Sequence, residues 1–471
     1  MSDLPPAAST APLVASPVPA DGWGCAATAL VARLAVVAWA IPRFPPSEDG
    51  RYYHVVASRI ADGQGYTWLW PDGAVTAAAH YPVGYPALLG LAYAVFGRFA
   101  AVAMIVNAFL GALAALAVHR VASEGASRRG ALLAGLSVAL HPGLVFYTPA
   151  LMTEGAALSL LALAAWAVVR ARRHEGSAGI ALRAALPVGL ALGVATLVRP
   201  QLLLVAPAFG VLCLHAGGVK ARALLAVFVT LTAVAVCLPW TARNCVRMHS
   251  CALVSVNAGW NLYIGAADGA TGSWVPLDRL GVPAECRTVW DEAAKDACFG
   301  AAGRRAIALR PGFFASLVPA KLATTFDYAG AAGWYLHSAN SAAFGERAKT
   351  ILGVVETIWQ RLIVLAALAA LFREQGSHGR FRKAITALSA LFLFVRPAWV
   401  AHVGLVLGAA SLGKRLGDRP PAALALTTVG ATLLTHAVFF GAGRYSLICF
   451  PALSALAGTL LTAQPPRTDT S

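Results

Sequence analysis

Long apolar runs separated by short polar connectors dominate the chain. They fall at about 23 to 42, 99 to 119, 130 to 148, 155 to 170, 184 to 198, 201 to 217, 223 to 240, 352 to 372, 384 to 395, 398 to 412, 421 to 441 and 445 to 462. A helix needs ~20 consecutive apolar residues to cross a bilayer, and helices can do so because they satisfy their own backbone polar groups. Runs such as AAVAMIVNAFLGALAALAV (100 to 118) and ALLAVFVTLTAVAVCLPW (223 to 240) approach that length. The pattern predicts an all-α integral membrane protein, a polytopic helical bundle of about 12 transmembrane helices. Several runs are shorter than a full crossing, notably 384 to 395 and 398 to 412. A further one, GYPALLGLAYAVFG (84 to 97), is bracketed by Gly, Pro and Arg98 and has the length of a re-entrant or interfacial segment.

Basic residues decide the orientation. If 84 to 97 does not cross, the clusters Arg120/Arg128/Arg129, Arg170/Arg172/Arg173/Arg183, Lys220/Arg222, Arg373/Arg380/Arg382/Lys383 and Lys414/Arg415/Arg419 share one side, as the positive-inside rule requires. If it crosses, all of them lie outside. The first choice puts both termini in the cytoplasm and leaves two long extracytoplasmic loop regions, roughly 43 to 98 and 241 to 350. The expected organisation is a disordered cytoplasmic tail (1–22), an N-terminal transmembrane module (23–240) that includes the first outer loop (43–98), an extracytoplasmic segment (241–350), C-terminal transmembrane helices (351–462) and a cytoplasmic tail (463–471). The first 22 residues lack the Lys and Arg of a signal-peptide n-region, so the run at 23 to 42 reads as a retained helix. The alternative is cleavage after AWA at 38 to 40.

Composition agrees: of 471 residues 58% are hydrophobic and 12% charged, against roughly 25% charged in soluble domains. The net charge of +16 therefore reports orientation in a multi-pass plasma (inner) membrane protein, and no nucleic-acid partner is expected. Cys25, Cys213, Cys237 and Cys449 lie in or beside apolar runs, where Cys behaves as a small hydrophobe. Cys245, Cys251, Cys286 and Cys298 all fall in the second outer segment, where an oxidising compartment favours one or two disulfides. Their pairing does not follow from sequence; free thiols are the alternative, and the spacings are not those of a zinc site.

The remaining charges collect on the outward face. Glu48 and Asp49 follow the first run, Glu154 follows YTPALMT, and Arg199 stands between the fifth and sixth runs. Arg243 follows PWTA, and Arg444 with Tyr445 opens the last run. Ionisable groups near membrane depth usually face a bundle interior or a wet cavity. Plainer roles compete. Asp49 and Glu154 could each cap the helix that follows, Arg199 and Arg444 could snorkel to headgroups, and the stripe Tyr53, Val56, Ile60 could lie on the interface. GQGYTWLWPDG and HYPVGYP add aromatics, as an interfacial belt or as a groove for a lipid-borne sugar. No Walker, GxGxxG, HExxH or GxSxG motif is present.

The acid pair, YY, ADGQGY, HYPVGYP, TE after the third run, LVRP, PWTARN, NAGWNLYIGAADGATG and GRYSLICFPALSALAG occur in that order. Together, over about 40 to 460, they resemble the GT-C type membrane glycosyltransferases. The resemblance is to the bacterial relatives of the dolichyl-phosphate-mannose protein mannosyltransferases (family 39), which include the lipid A aminoarabinose transferase. It implies transfer of a sugar from a polyprenyl-phosphate donor, with inversion, to a lipid, protein or glycan acceptor outside the cytoplasm, and makes 23–240 the catalytic module. It also implies an acid near the reacting centre, at the position matched by Asp49, with Glu48 beside it. The aminoarabinose transferase has Tyr four residues after that Asp, a spacing that Asp49 and Tyr53 reproduce.

A carboxylate can take the acceptor's proton as it attacks, and arginine or lysine can stabilise the departing phosphate. Arg51, Arg199, Arg243, Lys321 and Arg444 are the candidate cations, with Arg199, Arg243 and Arg444 favoured. There are departures from the pattern. Arg51 is two residues after Asp49, where that relative has Arg at the third. His80-Tyr81-Pro82-Val83 stands where it has Lys before Pro-Pro, so a basic phosphate contact at Tyr81 is missing and a protonated His80 is the substitute. No cofactor follows, and a divalent metal stays open. Two other readings compete: a twelve-helix secondary transporter, which would usually show related halves and a midplane site, and a lipid-linked glycan polymerase or ligase.

Overall fold

The computed structural model describes residues 20–174, 177–374 and 378–462. Most of the tail expected at 1–22 and all of 463–471 lie outside the described residues; the first helix, α1 (Ala20–Ala40), begins at Ala20. After it come α2 (Asp49–Ala61), a hairpin of β1 (Thr67–Leu69) and β2 (Val75–Ala77), α3 (Gly84–Phe96), α4 (Ala100–Ala122), α5 (Arg128–Ala139), α6 (Pro142–Phe146), α7 (Thr153–Ala171) and α8 (Ala178–Val198). A 3-10 turn (Pro200–Val205) leads to α9 (Ala206–Leu212) and the long α10 (Val219–Arg247). The next stretch holds α11 (Ala258–Ala266), α12 (Leu277–Leu280), α13 (Glu292–Leu309), α14 (Pro311–Ser316), α15 (Val318–Phe326) and α16 (Ala331–Ala339). The chain then forms α17 (Glu346–Arg373), α18 (Gly379–Leu391), α19 (Trp399–Ala410), α20 (Pro420–Val438), a 3-10 turn (Gly443–Cys449) and α21 (Phe450–Gly458).

The protein is a polytopic helical bundle. Among the described residues eight helical segments are long and apolar enough to cross a membrane: α1, α4, α5 with α6, α7, α8, α10, α17 and α20. A ninth arises if α13 and the α14–α15 pair, bent by 97° at Pro311, count as one span. Each of the twelve predicted runs carries helix, but those at 201–217, 384–395, 398–412 and 445–462 form helices too short or too broken to pass on length. Proline explains two of the breaks. Pro207 and Pro451 each stand in the first turn of a short α-helix that follows a 3-10 turn, since proline starts a helix readily but cannot continue one.

The break between α5 and α6 shows how an apolar bundle tolerates a charge. Arg33 of α1 is 2% exposed, and its guanidinium donates to Ala139 O at 2.9 Å and Val138 O at 3.2 Å. These carbonyls end α5 and have lost their intrahelical donors to the break at Pro142, so the buried cation and the orphan acceptors satisfy each other. Leu91, Val95 and Phe96 of α3 and Leu224 and Leu231 of α10 are exposed, as lipid-facing positions would be.

The hairpin, paired antiparallel with Trp68 opposite Thr76, sits between α2 and α3. Stripe residues Tyr53 and Val56 are buried inside the protein and do not form an interfacial face. The second outer segment is stapled by two disulfides, Cys245–Cys251 and Cys286–Cys298, the pairing that sequence left open. Cys25, Cys213, Cys237 and Cys449 are free and buried.

Candidate active site

Asp49 opens α2, yet it does not cap it. The N-cap residue, Glu48, makes no side-chain capping bond. The Asp49 carboxylate turns away from its own helix: Oδ1 accepts from the Tyr81 hydroxyl at 2.7 Å and Oδ2 from Arg444 Nη1 at 3.1 Å. Arg444 reaches on through Nε to Glu154 Oε1 at 3.4 Å. Glu154 Oε1 also accepts from Arg199 Nη1 at 2.7 Å, and Oε2 from the Tyr147 hydroxyl at 3.1 Å. Two carboxylates and two guanidiniums therefore form one chain, Asp49–Arg444–Glu154–Arg199, gathered from the starts of α2 and α7, the end of α8 and the turn after α20.

Burial makes this pairing obligatory. The Glu154 side chain is 1% exposed and that of Arg199 11%, whereas Asp49 and Arg444 keep 25% and 27%. A charge removed from water is tolerated when paired and hydrogen-bonded, so the dry end of the chain is the Glu154–Arg199 pair and the wet end is Asp49–Arg444. The Tyr445 ring faces both arginines, with centroid distances of 5.0 Å to Arg199 and 5.3 Å to Arg444, a cation–π arrangement. His436 stacks on Tyr445 at 4.4 Å and fixes that ring.

The strand of chain that delivers Arg444 is held tightly. A Cβ at Gly443 would stand 2.3 Å from Ala329 O, so only glycine permits this approach. Lys321, fully buried, donates through Nζ to Val438 O at 2.9 Å. It caps the end of α20 just before the segment that carries Arg444, where a cation suits the helix dipole. Lys321 is thus placed apart from the charge chain. So is Arg243, which donates to Ala78 O at 2.9 Å and Tyr66 O at 2.8 Å and packs over Trp240, clasping the hairpin's ends. Arg51 is exposed on α2. The Glu48 carboxylate accepts from Ser338 at 2.8 Å and points away from Asp49's partners. Tyr53 is buried edge-on between Tyr81 and Tyr85.

His80 occupies the rim. Its backbone N–H donates to Glu292 Oε1 at 3.1 Å, and its ring lies edge-on to Tyr81 and Trp260. Burial pushes its pKa down to about 4, outweighing the upward pull of Asp49. His80 is therefore neutral at neutral pH and does not supply the missing positive charge. Burial, then the Asp49 carboxylate, push the Tyr81 phenol well above its usual range, so Tyr81 remains a donor to Asp49.

A pH prediction follows. The unfolded imidazole binds a proton below about 6.5 and the folded one only below about 4, so between these values the unfolded state holds more protons and acid destabilises the fold. Thermal melts at pH 7 and pH 5 should show a larger acid-induced fall for the parent than for His80→Gln. Equal falls would contradict the assignment of His80 as a neutral group.

Among the described residues no three His, Cys, Asp or Glu side chains come together as a metal-ligand set, and Asp49 and Glu154 are each engaged by arginine. Tyr147 and His436 were not among the sequence candidates. Tyr147 had a signal, in YTPALMTE, since it and Glu154 flank one helix break; His436, inside an apolar run, had none.

Residues 80–242, about a third of the chain, match the family model described as dolichyl-phosphate-mannose-protein mannosyltransferase. The structure is similar to that of the Archaeoglobus fulgidus oligosaccharyltransferase in its apo form, at 16% identity and a TM-score of 0.50, covering 94% of this chain and 50% of that one. The two share one architecture over nearly the whole of this chain. Similarity extends to ArnT from Cupriavidus metallidurans, in the apo state (TM-score 0.40) and bound to undecaprenyl phosphate (TM-score 0.39), each at 16% identity and covering 94% of this chain and 78% of that one. No curated protein matches by sequence. This chain spans about half the length of the archaeal oligosaccharyltransferase. The matched residues 80–242 include Tyr81, Glu154 and Arg199, while Asp49 and Arg444 are brought to them from outside that range.

Proposed function

We propose that the protein transfers a sugar from a polyprenyl-phosphate-linked donor to a lipid, protein or glycan acceptor outside the cytoplasm, inverting the anomeric centre. The observation that carries this reading is the partly exposed Asp49 carboxylate joined through Arg444 to the buried Glu154–Arg199 pair. A base and a preorganised cationic site stand side by side, as glycosyl transfer from a phosphate ester requires. The family model over residues 80–242 supports a lipid-phosphate donor.

In this mechanism the donor phosphate binds at Arg444, with Arg199 behind it. Arg444 exchanges its bond to Asp49 Oδ2 for the incoming anion, and Tyr81 keeps Oδ1 in place. The freed oxygen takes the proton of the acceptor nucleophile as that atom bonds to the anomeric carbon. The carbon–oxygen bond to phosphate breaks, its electron pair passing to the phosphate oxygen, where the guanidiniums stabilise the charge. Glu154 holds both arginines at fixed positions, which spares reorganisation during the reaction.

The same reading places the protein across the plasma membrane with this end of the bundle outside. Glu154 stands in the first turn of α7 and Arg170 in its last, so the basic connector after α7 lies at the end of that helix away from the site, and the Cys286–Cys298 disulfide brackets Glu292, which accepts from His80 N–H. The experiment compares glycolipids, glycoproteins and surface glycans of cells with and without the protein. Loss of one glycan, with solute uptake unchanged, is expected; unchanged glycans with loss of an uptake activity would instead favour a transporter.

A further inference from the structure

Helix α16 lies over the loop that delivers Asp49 and holds it at three points. The Tyr335 hydroxyl donates to Ser47 O at 3.2 Å and accepts from Ser47 N–H at 3.3 Å. Ser338 donates to Glu48 Oε1 at 2.8 Å, and Asn340, just past the helix, donates to Arg43 O at 2.8 Å. Between these contacts Glu48 takes φ 50° and ψ −137°, in the half of conformational space that residues with a Cβ seldom enter. Such a backbone persists where its surroundings over-determine it, and here the surroundings are α16. The approach is close, since a Cβ at Gly50 would stand 2.7 Å from the Tyr335 oxygen.

The helix is itself anchored. Glu356 of α17, fully buried, accepts from Gly333 N–H at 3.2 Å through Oε1. The Glu356 carboxyl thus satisfies one of the free backbone donors in the first turn of α16. The path thus runs from Glu356 through α16 and Tyr335 to Ser47, two residues before Asp49. Neither Tyr335 nor Glu356 belongs to the charge chain of the site.

We propose that Tyr335 is a positioning residue, which through Ser47 sets the Asp49 carboxylate toward Arg444 and the reacting atoms, with Glu356 as the anchor of its helix. The proposal rests on the function proposed above. Reactions that depend on oriented groups are sensitive to displacement, about 10²-fold for a 1 Å error.

Tyr335→Phe removes the hydroxyl and keeps the ring, so it tests the proposal with the full-length protein in detergent. Three quantities are measured: hydrogen exchange of the 44–50 backbone, turnover of a polyprenyl-phosphate-sugar pool, and affinity for undecaprenyl phosphate as probe. Faster exchange and a fall in turnover of about 10-fold or more, with unchanged probe affinity, are expected. Glu356→Leu should reproduce this pattern, whereas Glu356→Gln, which keeps the acceptor, should behave as the parent does. Unchanged exchange, or faster exchange with unchanged turnover, overturns the proposal, as does a loss of probe affinity in step with turnover, which marks general damage. If the parent protein turns over no lipid-linked sugar, the function has failed, and positioning of the reacting carboxylate fails with it. Faster exchange would then show only that Tyr335 holds the loop.

Discussion

Asp49→Asn is expected to reduce product by about 10²- to 10⁴-fold, the usual contribution of a positioned general base, while leaving the protein at near-normal abundance. The Asn amide oxygen can still accept from Tyr81, whose hydroxyl donates to Asp49 Oδ1 at 2.7 Å, so the start of α2 keeps its tether. Arg444 keeps its contact with Glu154 and is not stranded. The amide, however, cannot take a proton, because its nitrogen lone pair is delocalised into the carbonyl and neither atom is basic at neutral pH. The variant is expressed in cells lacking the parent, and the affected glycan and the membrane-bound protein are quantified together. Persistence of the glycan would remove Asp49 from the role of base. Loss of the protein would mean that Asp49 serves folding first.

The second large effect is expected at Glu154. Its side chain is 1% exposed and is shared by two guanidiniums, so Glu154→Ala leaves cations facing one another with no anion between them. Breaking a buried ion pair by removing one partner costs about 3–5 kcal/mol. A marked fall in melting temperature is expected, together with loss of product. Replacing Glu154 and Arg199 together by methionine should recover much of the stability but none of the activity, because the uncompensated charge is gone while the phosphate site is not rebuilt. A single variant as stable as the parent would show that Glu154 does not organise the arginines.

Much of the bundle was legible because apolar runs long enough to span a bilayer leave few alternatives. The positions of α4, α7, α10, α17 and α20 follow from run length, and the break at α9 is signalled by Pro200 and Pro207. Helix number was less legible, since α18, α19 and α21 are short and gain their stability from packing that composition does not reveal. Charges stranded at run ends pointed to Asp49, Glu154, Arg199 and Arg444, and the fold brings these four together. The same signal pointed to Arg243, and an outward position to Lys321; the partners of both are backbone carbonyls, and any residue presents a carbonyl. Tyr335, in the second outer segment, and Glu356, near the start of the run at 352 to 372, carried no signal, because such a residue gains meaning only from what folding sets opposite it.

The most direct measurement uses the purified protein in liposomes loaded with polyprenyl-phosphate sugars and acceptors from cell-membrane extracts, with the lipids followed by mass spectrometry. The account predicts conversion of one polyprenyl-phosphate sugar to free polyprenyl phosphate and the appearance of a glycosylated acceptor, both dependent on Asp49. An unchanged donor pool with an intact, folded protein, or equal conversion by Asp49→Asn, would contradict it.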